Sequence, residues 1–414
     1  MSMLRLRQAA PAMLIAAILL ALTACGTEYP NSTFNHHTDF NASIDALWDL
    51  LLFWGTIVFI VVETALVVTI IRFRKRPGGP AAKAIHGNAA LEIAWTAIPA
   101  VILVLIAVPT VRTIFQTQAQ APAGAITVEV IGHQWWWEFR YPEYGITTAN
   151  EIYLPVGRPA NFVLKSKDVI HSFWIPQMGG KRDVITNRTN YLWFTPNADL
   201  GTQAWNGFCV EYCGTSHANM RFRLFTVQPE EFASWAAHQA RPALPHTPPP
   251  APPVTPTARR GGAAQSATEP ATAEVGYVFP RELLPDHVVP RTPIPAGLTY
   301  DDTLLPQGDA ARGQQLFVFC IACHTVQGNP MAVGVLAPDL THVASRHTIA
   351  GGLFPNEPQV LARWIKNAKK MKPGAIMNVF GLGEYEPALK RNVTQGGFDD
   401  RQIADIVAYL QTLK

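Results

Sequence analysis

The sequence predicts a multidomain membrane protein: a two-helix transmembrane hairpin, a β-sandwich, a Pro-rich linker and an all-α domain. Three observations carry this reading. Hydrophobic residues make up 48% of the 414 residues and charged ones only 15%, which is more apolar than an ordinary soluble chain. Two long apolar runs flank a basic stretch. Beyond them the composition shifts from strand-rich to proline-rich to helically periodic. Lysine plus arginine total 33 against 30 acidic residues, a net charge of +3. No strongly basic face is implied, so nucleic acid is not an expected partner.

Residues 1–24 have the layout of a signal peptide, with Arg5 and Arg7 before an apolar run from Ala9 to Leu22. The run ends in Leu22-Thr23-Ala24-Cys25, which resembles the lipobox of bacterial lipoproteins and would make Cys25 a lipidated N-terminus. The competing reading is a plain signal peptide with a chance cysteine. Residues 25–120 hold an N-terminal segment and the hairpin. Leu50–Ile71 carries one charge, Glu63, and Ile93–Val111 carries none, although Pro99 can kink it. Each can cross ~30 Å of hydrocarbon, which places helices at about 47–71 and 91–114. Arg72, Arg74, Lys75, Arg76 and Lys83 lie between them. Basic loops stay in the cytoplasm, so the N-terminus and everything beyond about residue 115 are expected outside. A buried pair of core helices would explain the apolar runs but not the basic loop.

Residues 121–240 contain short β-branched and aromatic runs, among them Ile126–Ile131, Asn161–Leu164 and Tyr191–Phe194. Gly145, Pro155, Gly157 and Pro176 punctuate them, the pattern of an antiparallel sandwich of ~100 residues. Residues 241–306 read as a Pro/Ala-rich linker, part of it laid on a neighbouring surface. Residues 307–414 turn helical. Asp309 can cap a helix through Phe319. Asp399 or Asp400 can cap an amphipathic helix to Leu413, with Ile403, Ile406, Val407 and Leu410 on one face.

The five cysteines are Cys25, Cys209, Cys213, Cys320 and Cys323, an odd count at spacings that do not form a disulfide framework. Cys209 to Met220 places two thiols, His217 and a thioether on one loop, with His171 upstream. Soft sulfur plus imidazole selects copper or zinc over hard cations. A closed zinc tetrahedron would accept the two cysteines but has no use for Met220. A single copper needs one cysteine, whereas two thiolates can bridge two coppers with a histidine at each end. A disulfide between Cys209 and Cys213 is the remaining alternative.

Cys209-x-Glu211-x-Cys213-x-x-x-His217-x-x-Met220, His171, Gly132-His-Gln-Trp-Trp-Trp137 and Leu91-Glu92-Ile-Ala-Trp-Thr96 together resemble cytochrome c oxidase subunit II over about residues 40 to 235. The resemblance implies a cupredoxin-like domain with a dinuclear copper A centre. Its ligands would be His171, Cys209, Cys213, His217, Met220 and the carbonyl of Glu211, whose side chain would also bind Mg2+ against subunit I. Trp135 matches the tryptophan through which electrons reach the copper, and Glu92 the carboxylate at a proton-channel entrance. Trp136 and Trp137 fit packing roles. The segment Asp183-Val-Ile-Thr-Asn-Arg188 departs from the family, which has Pro-Gly before that arginine.

Cys320-Ile-Ala-Cys323-His324 is the spacing of covalent haem c attachment, with His324 an axial iron ligand. A thioredoxin-like redox pair is the alternative, which the adjacent histidine and the helical surroundings disfavour. Residues 307–414 resemble a class I cytochrome c. That resemblance makes a later methionine the sixth ligand: Met377 after Lys372-Pro-Gly374 is preferred to Met371, and Met331 is too close to the cysteines. It also places Pro338 near His324, Trp364 beside a haem propionate and Tyr409-Leu410 on a last helix crossing the first.

The combined resemblance implies an electron-transfer subunit of a proton-pumping haem–copper oxidase in a bacterial inner membrane. Subunits I and III and membrane lipid would be its neighbours, and cytochrome c or a cytochrome bc complex its donor. Quinol oxidase relatives lack the copper ligands. A lone membrane-anchored carrier would not need Glu92, and nitrous oxide reductase requires a propeller for which no length exists.

Overall fold

The computed structural model describes residues 29–74, 77–78, 86–243 and 276–414. The signal-peptide reading, Cys25, Lys75, Arg76, Lys83 and the proline-densest part of the linker lie outside them.

Two long helices form the hairpin, α1 (Asp39–Arg72) and α2 (Ala89–Thr117). Both are apolar enough to span a membrane, and their spanning windows are wholly unburied within the chain. Such faces suit lipid or another apolar subunit. Both helices outrun the ends expected from hydropathy. Helix α1 begins eight residues before position 47, because its start is set by a cap and not by apolarity: the Thr38 side chain accepts from Asn41 N. Thr38 Oγ1 also donates to the carbonyl of Met178, and Asn41 Nδ2 donates to that of Pro176 at 3.0 Å. Phe40 joins the sandwich core. The membrane helix is therefore fastened to the domain above it.

The sandwich has two five-stranded sheets. One contains β1 (Ile126–His133), β2 (Trp136–Tyr141), β3 (Ile146–Ala149), β5 (Ala160–Ser166) and β8 (Asn190–Phe194), in the order β3-β2-β1-β5-β8. The other contains β4 (Glu151–Pro155), β6 (His171–Trp174), β7 (Arg182–Val184), β9 (Gln203–Cys209) and β10 (Arg221–Val227), in the order β4-β10-β9-β6-β7. The sheets are mixed and not antiparallel throughout, since β1 runs parallel to β5 and β4 parallel to β10. Strands that pair after crossing between sheets arrive in either direction, which alternation of residues does not encode. Phe139, Phe162, Phe173 and Phe222 fill the space between the sheets with Trp137. Trp136 instead stacks on His133, with ring centroids 4.1 Å apart. The turn that lacks Pro-Gly still closes: Arg188 N bonds to Ile185 O at 3.3 Å, with Asn187 at a φ of 60°. Asparagine tolerates that left-handed backbone better than most residues. Helix α3 (Pro229–Gln239) follows the sandwich.

Residues 276–306, the second stretch of the linker, form a strap shared by two cores. Phe279 and Val288 are buried with the sandwich, while Leu298 and Tyr300 are buried with the last domain. Proline composition concealed these apolar residues. Side chains of the sandwich hold the strap, as Arg223 Nε donates to Val288 O at 2.9 Å and Asn206 Nδ2 to His287 O at 2.9 Å.

The last domain contains α4 (Ala310–Leu316), α5 (Pro358–Lys366), α6 (Ala368–Met371) and α7 (Asp400–Leu410). Asp309 caps α4, which gives way to a 3-10 turn at Phe317–Phe319, and Asp399 caps α7. Gly313 lets α4 cross α7 closely, since a Cβ there would lie 1.9 Å from Asp405 O. Arg312 pairs with the buried Asp405 at that crossing. The domain is helical but not wholly so, because Thr348–Ile349 pairs with Phe354–Pro355 and Tyr385–Glu386 with Arg391–Asn392. These ladders are two residues long and leave no periodic trace.

The sandwich and the last domain meet in a buried seam. Glu151 on β4 accepts from His347 N and Thr348 N at 2.8 Å each and from Thr348 Oγ1 at 3.0 Å. A lone buried carboxylate would cost several kcal/mol. Three donors and the nearby charge of buried Arg223 offset that cost here. Arg223 reaches Gly352 O at 3.2 Å, and Arg221 N reaches Gly351 O at 2.9 Å.

Candidate metal centres

The copper-type cluster is built where β6 and β9 pair and where the loop after β9 turns back into β10. Phe173 lies opposite Cys209 across that pairing. His171, Cys209 and Cys213 are all buried, with ligand atoms within 4.8 Å of one another. The two Sγ atoms are 3.8 Å apart, so they are free thiols and not a disulfide. His171 Nδ1 lies 3.8 Å from Cys209 Sγ, and His217 Nδ1 lies 3.6 Å from Cys213 Sγ. Met220 Sδ is 3.8 Å from Cys213 Sγ, and Glu211 O is 3.3 Å from Cys209 Sγ. Each thiol thus has its own imidazole and one further soft or carbonyl donor. That donor set fits a thiolate-bridged pair of copper ions. It does not fit a zinc tetrahedron, to which the thioether and the carbonyl add surplus donors. The contact between the two thiols shifts them in opposite directions, holding Cys209 below and Cys213 above the ordinary thiol value.

Sequence reasoning missed Asp168. Its Oδ1 lies 2.8 Å from His171 Nε2, and it also accepts from Gln134 N at 2.6 Å and Val169 N at 2.7 Å. Burial alone would raise this carboxyl, but the hydrogen bonds outweigh it and hold Asp168 below its ordinary value. The same pair lifts His171 against its burial. An ionised carboxylate only accepts, so Nε2 carries the ring proton and Nδ1 is left for a metal. The acid three residues before the histidine was the available signal. Replacing Asp168 by alanine is expected to weaken copper binding by about 10- to 100-fold. A copper titration against a competing chelator measures this, and native affinity would count against the role.

Trp135 lies half-buried beside the copper-type loop, its Nε1 donating to Cys213 O at 3.0 Å. The side chain of Glu211 faces solvent on the same loop. Glu92 is in the first turn of α2, at the opposite end of the hairpin from the sandwich.

The haem-type site lies in the last domain. Residues 320–324 form one helical turn, with His324 N bonded to Cys320 O at 3.0 Å. His324 Nδ1 lies 2.7 Å from Pro338 O, which can only accept, so Nε2 remains for iron. Ala337 N bonds to Cys323 O at 3.0 Å and Gly334 N to Ile321 O at 3.1 Å. These bonds fold Val333, Val335 and Leu336, all exposed, beside the cysteine turn. Such an apolar face fits a porphyrin covering it. Trp364 and Met377 pack at the edge of the same core, whereas Met371 is inside it and Met331 is exposed. Lys372 is also buried, with Nζ donating to Trp135 O at 2.6 Å and to Ala350 O at 2.9 Å. Burial pushes its ammonium down to about 7.

A soft-donor site on a membrane-anchored sandwich, joined to a Cys-x-x-Cys-His helical domain, defines an electron-transfer protein of a membrane-bound redox complex. Residues 35–113 match the family of the cytochrome c oxidase subunit II transmembrane domain, residues 145–227 that of its periplasmic domain, and residues 310–414 that of cytochrome c. The cytochrome c oxidase subunit 2 of Alkalihalophilus pseudofirmus is 29% identical over 366 residues, covering 86% of this chain and 83% of that one. The probable cytochrome c oxidase subunit 2 of Rickettsia bellii is 33% identical over 216 residues, covering 47% of this chain and 78% of that one. The solved periplasmic domain of subunit II of cytochrome oxidase from Bradyrhizobium japonicum is 31% identical, covers 29% of this chain and 96% of that one, and has a TM-score of 0.27. The chain belongs to the cytochrome c oxidase subunit 2 family and carries a cytochrome c domain at its C-terminal end. It is part of a haem–copper oxidoreductase complex, with its redox domains outside the cytoplasm.

Proposed function

We propose that this chain relays electrons from an upstream cytochrome c or cytochrome bc complex to subunit I of a proton-pumping oxidase. Electrons are received at the cytochrome c domain, handed to the sandwich and delivered to subunit I, where oxygen becomes water. The observation that carries this reading is the pairing of each thiol with its own imidazole, Cys209 with His171 and Cys213 with His217. The ligand set is His171, Cys209, Glu211 O, Cys213, His217 and Met220. Two bridged coppers supply reversible one-electron exchange with little change of geometry.

Cys320 and Cys323 would hold haem c, and His324 and Met377 would be the residues that bind its iron. Met377 is preferred to Met371 because Met371 is committed to the core. Pro338 orients His324, and Trp364 stands at the haem edge. Trp135 links the two sites. The Glu211 side chain, free at the surface, binds Mg2+ against subunit I. Glu92 collects protons at the cytoplasmic end of the hairpin. The chain is a multi-pass protein of a bacterial inner membrane, in contact with subunits I and III and lipid, with Cys25 lipidated after cleavage of residues 1–24. Domain limits at 120, 240 and 306 follow the same reading, although the strap makes 276–306 part of both neighbours.

Metal content tests this directly. The purified full-length subunit, matured with both cofactors, is expected to hold two coppers and one covalent haem, with an electron spin signal shared by two copper nuclei. A haem with a single isolated copper signal would refute the bridged site.

A further inference from the structure

We propose that Lys372 is a positioning residue for electron transfer, clamping the Lys372-Pro373-Gly374 loop of the haem domain onto Trp135 of the copper domain. This rests on the electron relay proposed above. Lys372 is buried, and its Nζ bridges the domains, with one acceptor in each: Trp135 O at 2.6 Å and Ala350 O at 2.9 Å. A second tie falls on the next residue, where buried Ser216 donates from Oγ to Pro373 O. The third residue of the loop has no side chain at the point of closest approach. A Cβ on Gly374 would lie 2.6 Å from Trp135 Cζ3. The indole then continues to Cys213 O through its Nε1 at 3.0 Å. A line of contacts therefore runs from the loop of the haem domain to a copper-binding cysteine, and Lys372 and Ser216 fasten the joint between domains on this loop.

The Glu151 seam anchors the haem domain elsewhere, through Thr348 and His347. It makes no contact with the 372–374 loop. A buried ammonium is an expensive group to place at a seam that packing alone could close. Its acceptors show what it does there: it sets the distance between one loop and one tryptophan. Short, fixed separation is what electron transfer needs and what general domain adhesion does not.

The test uses the assembled oxidase with both cofactors, carrying Lys372→Met, which keeps the apolar stem, or the milder Ser216→Ala. An electron is injected into the haem by a photoreductant, and the haem-to-copper and copper-to-subunit I steps are timed separately. Amide hydrogen exchange is followed at residues 349–353 and 372–376. In Lys372→Met the haem-to-copper step is expected to slow by about tenfold or more, with faster exchange in both segments. The second step, the haem spectrum and the copper spin signal are expected to stay native. Ser216→Ala is expected to slow the same step by less. A native first step with unchanged exchange in both variants would overturn the clamp, as would a slowed step accompanied by an altered haem spectrum. If the unmodified complex passes no electron from haem to copper, the relay itself fails and the clamp with it.

Discussion

Replacing Cys213 by serine is expected to abolish the shared copper signal and to lower oxygen consumption by more than about 100-fold. Even a partner outside the ligand set is worth 10- to 100-fold at a metal site, and Cys213 stands closer than that. Its Sγ contacts Cys209 Sγ, His217 Nδ1 and Met220 Sδ, each within 3.8 Å. Removing it strands His217 and Met220 at one end while leaving His171 and Cys209 at the other. The remnant is a one-copper site, whose electron spin spectrum has the pattern of a single nucleus. Copper analysis with that spectrum, on membranes that still assemble subunit I, checks the result. A retained two-nucleus signal would mean that the second thiolate does not bridge.

The second large effect is expected from the double replacement Cys320→Ser with Cys323→Ser. Covalent haem is lost, and turnover driven by an upstream donor falls by about 100-fold or more, because a built-in donor contributes an effective concentration that solution encounter does not match. The copper signal should persist, since no copper-site residue belongs to that domain. Haem staining after denaturation confirms the loss, and oxygen uptake reads the consequence. Undiminished uptake would place the point where electrons arrive on the copper domain. Deleting everything after residue 240 is a poorer version of this experiment. It strips the strap from the sandwich and uncovers Glu151, so a loss of activity could come from damage to the copper domain.

The clustering of His171, Cys209 and Cys213 was legible because Cys209 and Cys213 lie four positions apart on one loop, within a twelve-residue run that ends at Met220. The turn from Cys320 to His324 is equally compact, spanning five residues. What joins the domains was not legible. Lys372 and Trp135 are 237 positions apart, and Glu151 and Thr348 are 197 apart. A single sequence holds no trace of such pairs, since nothing local requires them. The strap was legible only as a stretch laid on a neighbouring surface: its prolines break every period, so the packing of Phe279, Val288, Leu298 and Tyr300 leaves no pattern. Strand content in the sandwich was clear, yet the parallel pairings β1–β5 and β4–β10 depend on crossings between sheets that alternation does not report. The helices of the hairpin were found, but their ends were set by capping at Thr38 and Asn88 and not by where apolarity fades.

Helix α1 is 34 residues long, or about 51 Å at 1.5 Å per residue. The hydrocarbon takes ~30 Å of that, so several turns rise above the membrane before Phe40, Asn41 and Thr38 lock into the sandwich. The helix acts as a ruler with a dial. One residue inserted above the membrane would lift the sandwich by ~1.5 Å and swing it by about 100°. A lift of that size is small, but the swing would aim the copper loop away from any fixed partner in the bilayer. Length variation in this chain is therefore confined by geometry to places other than the upper turns of α1, whatever the residues there happen to be.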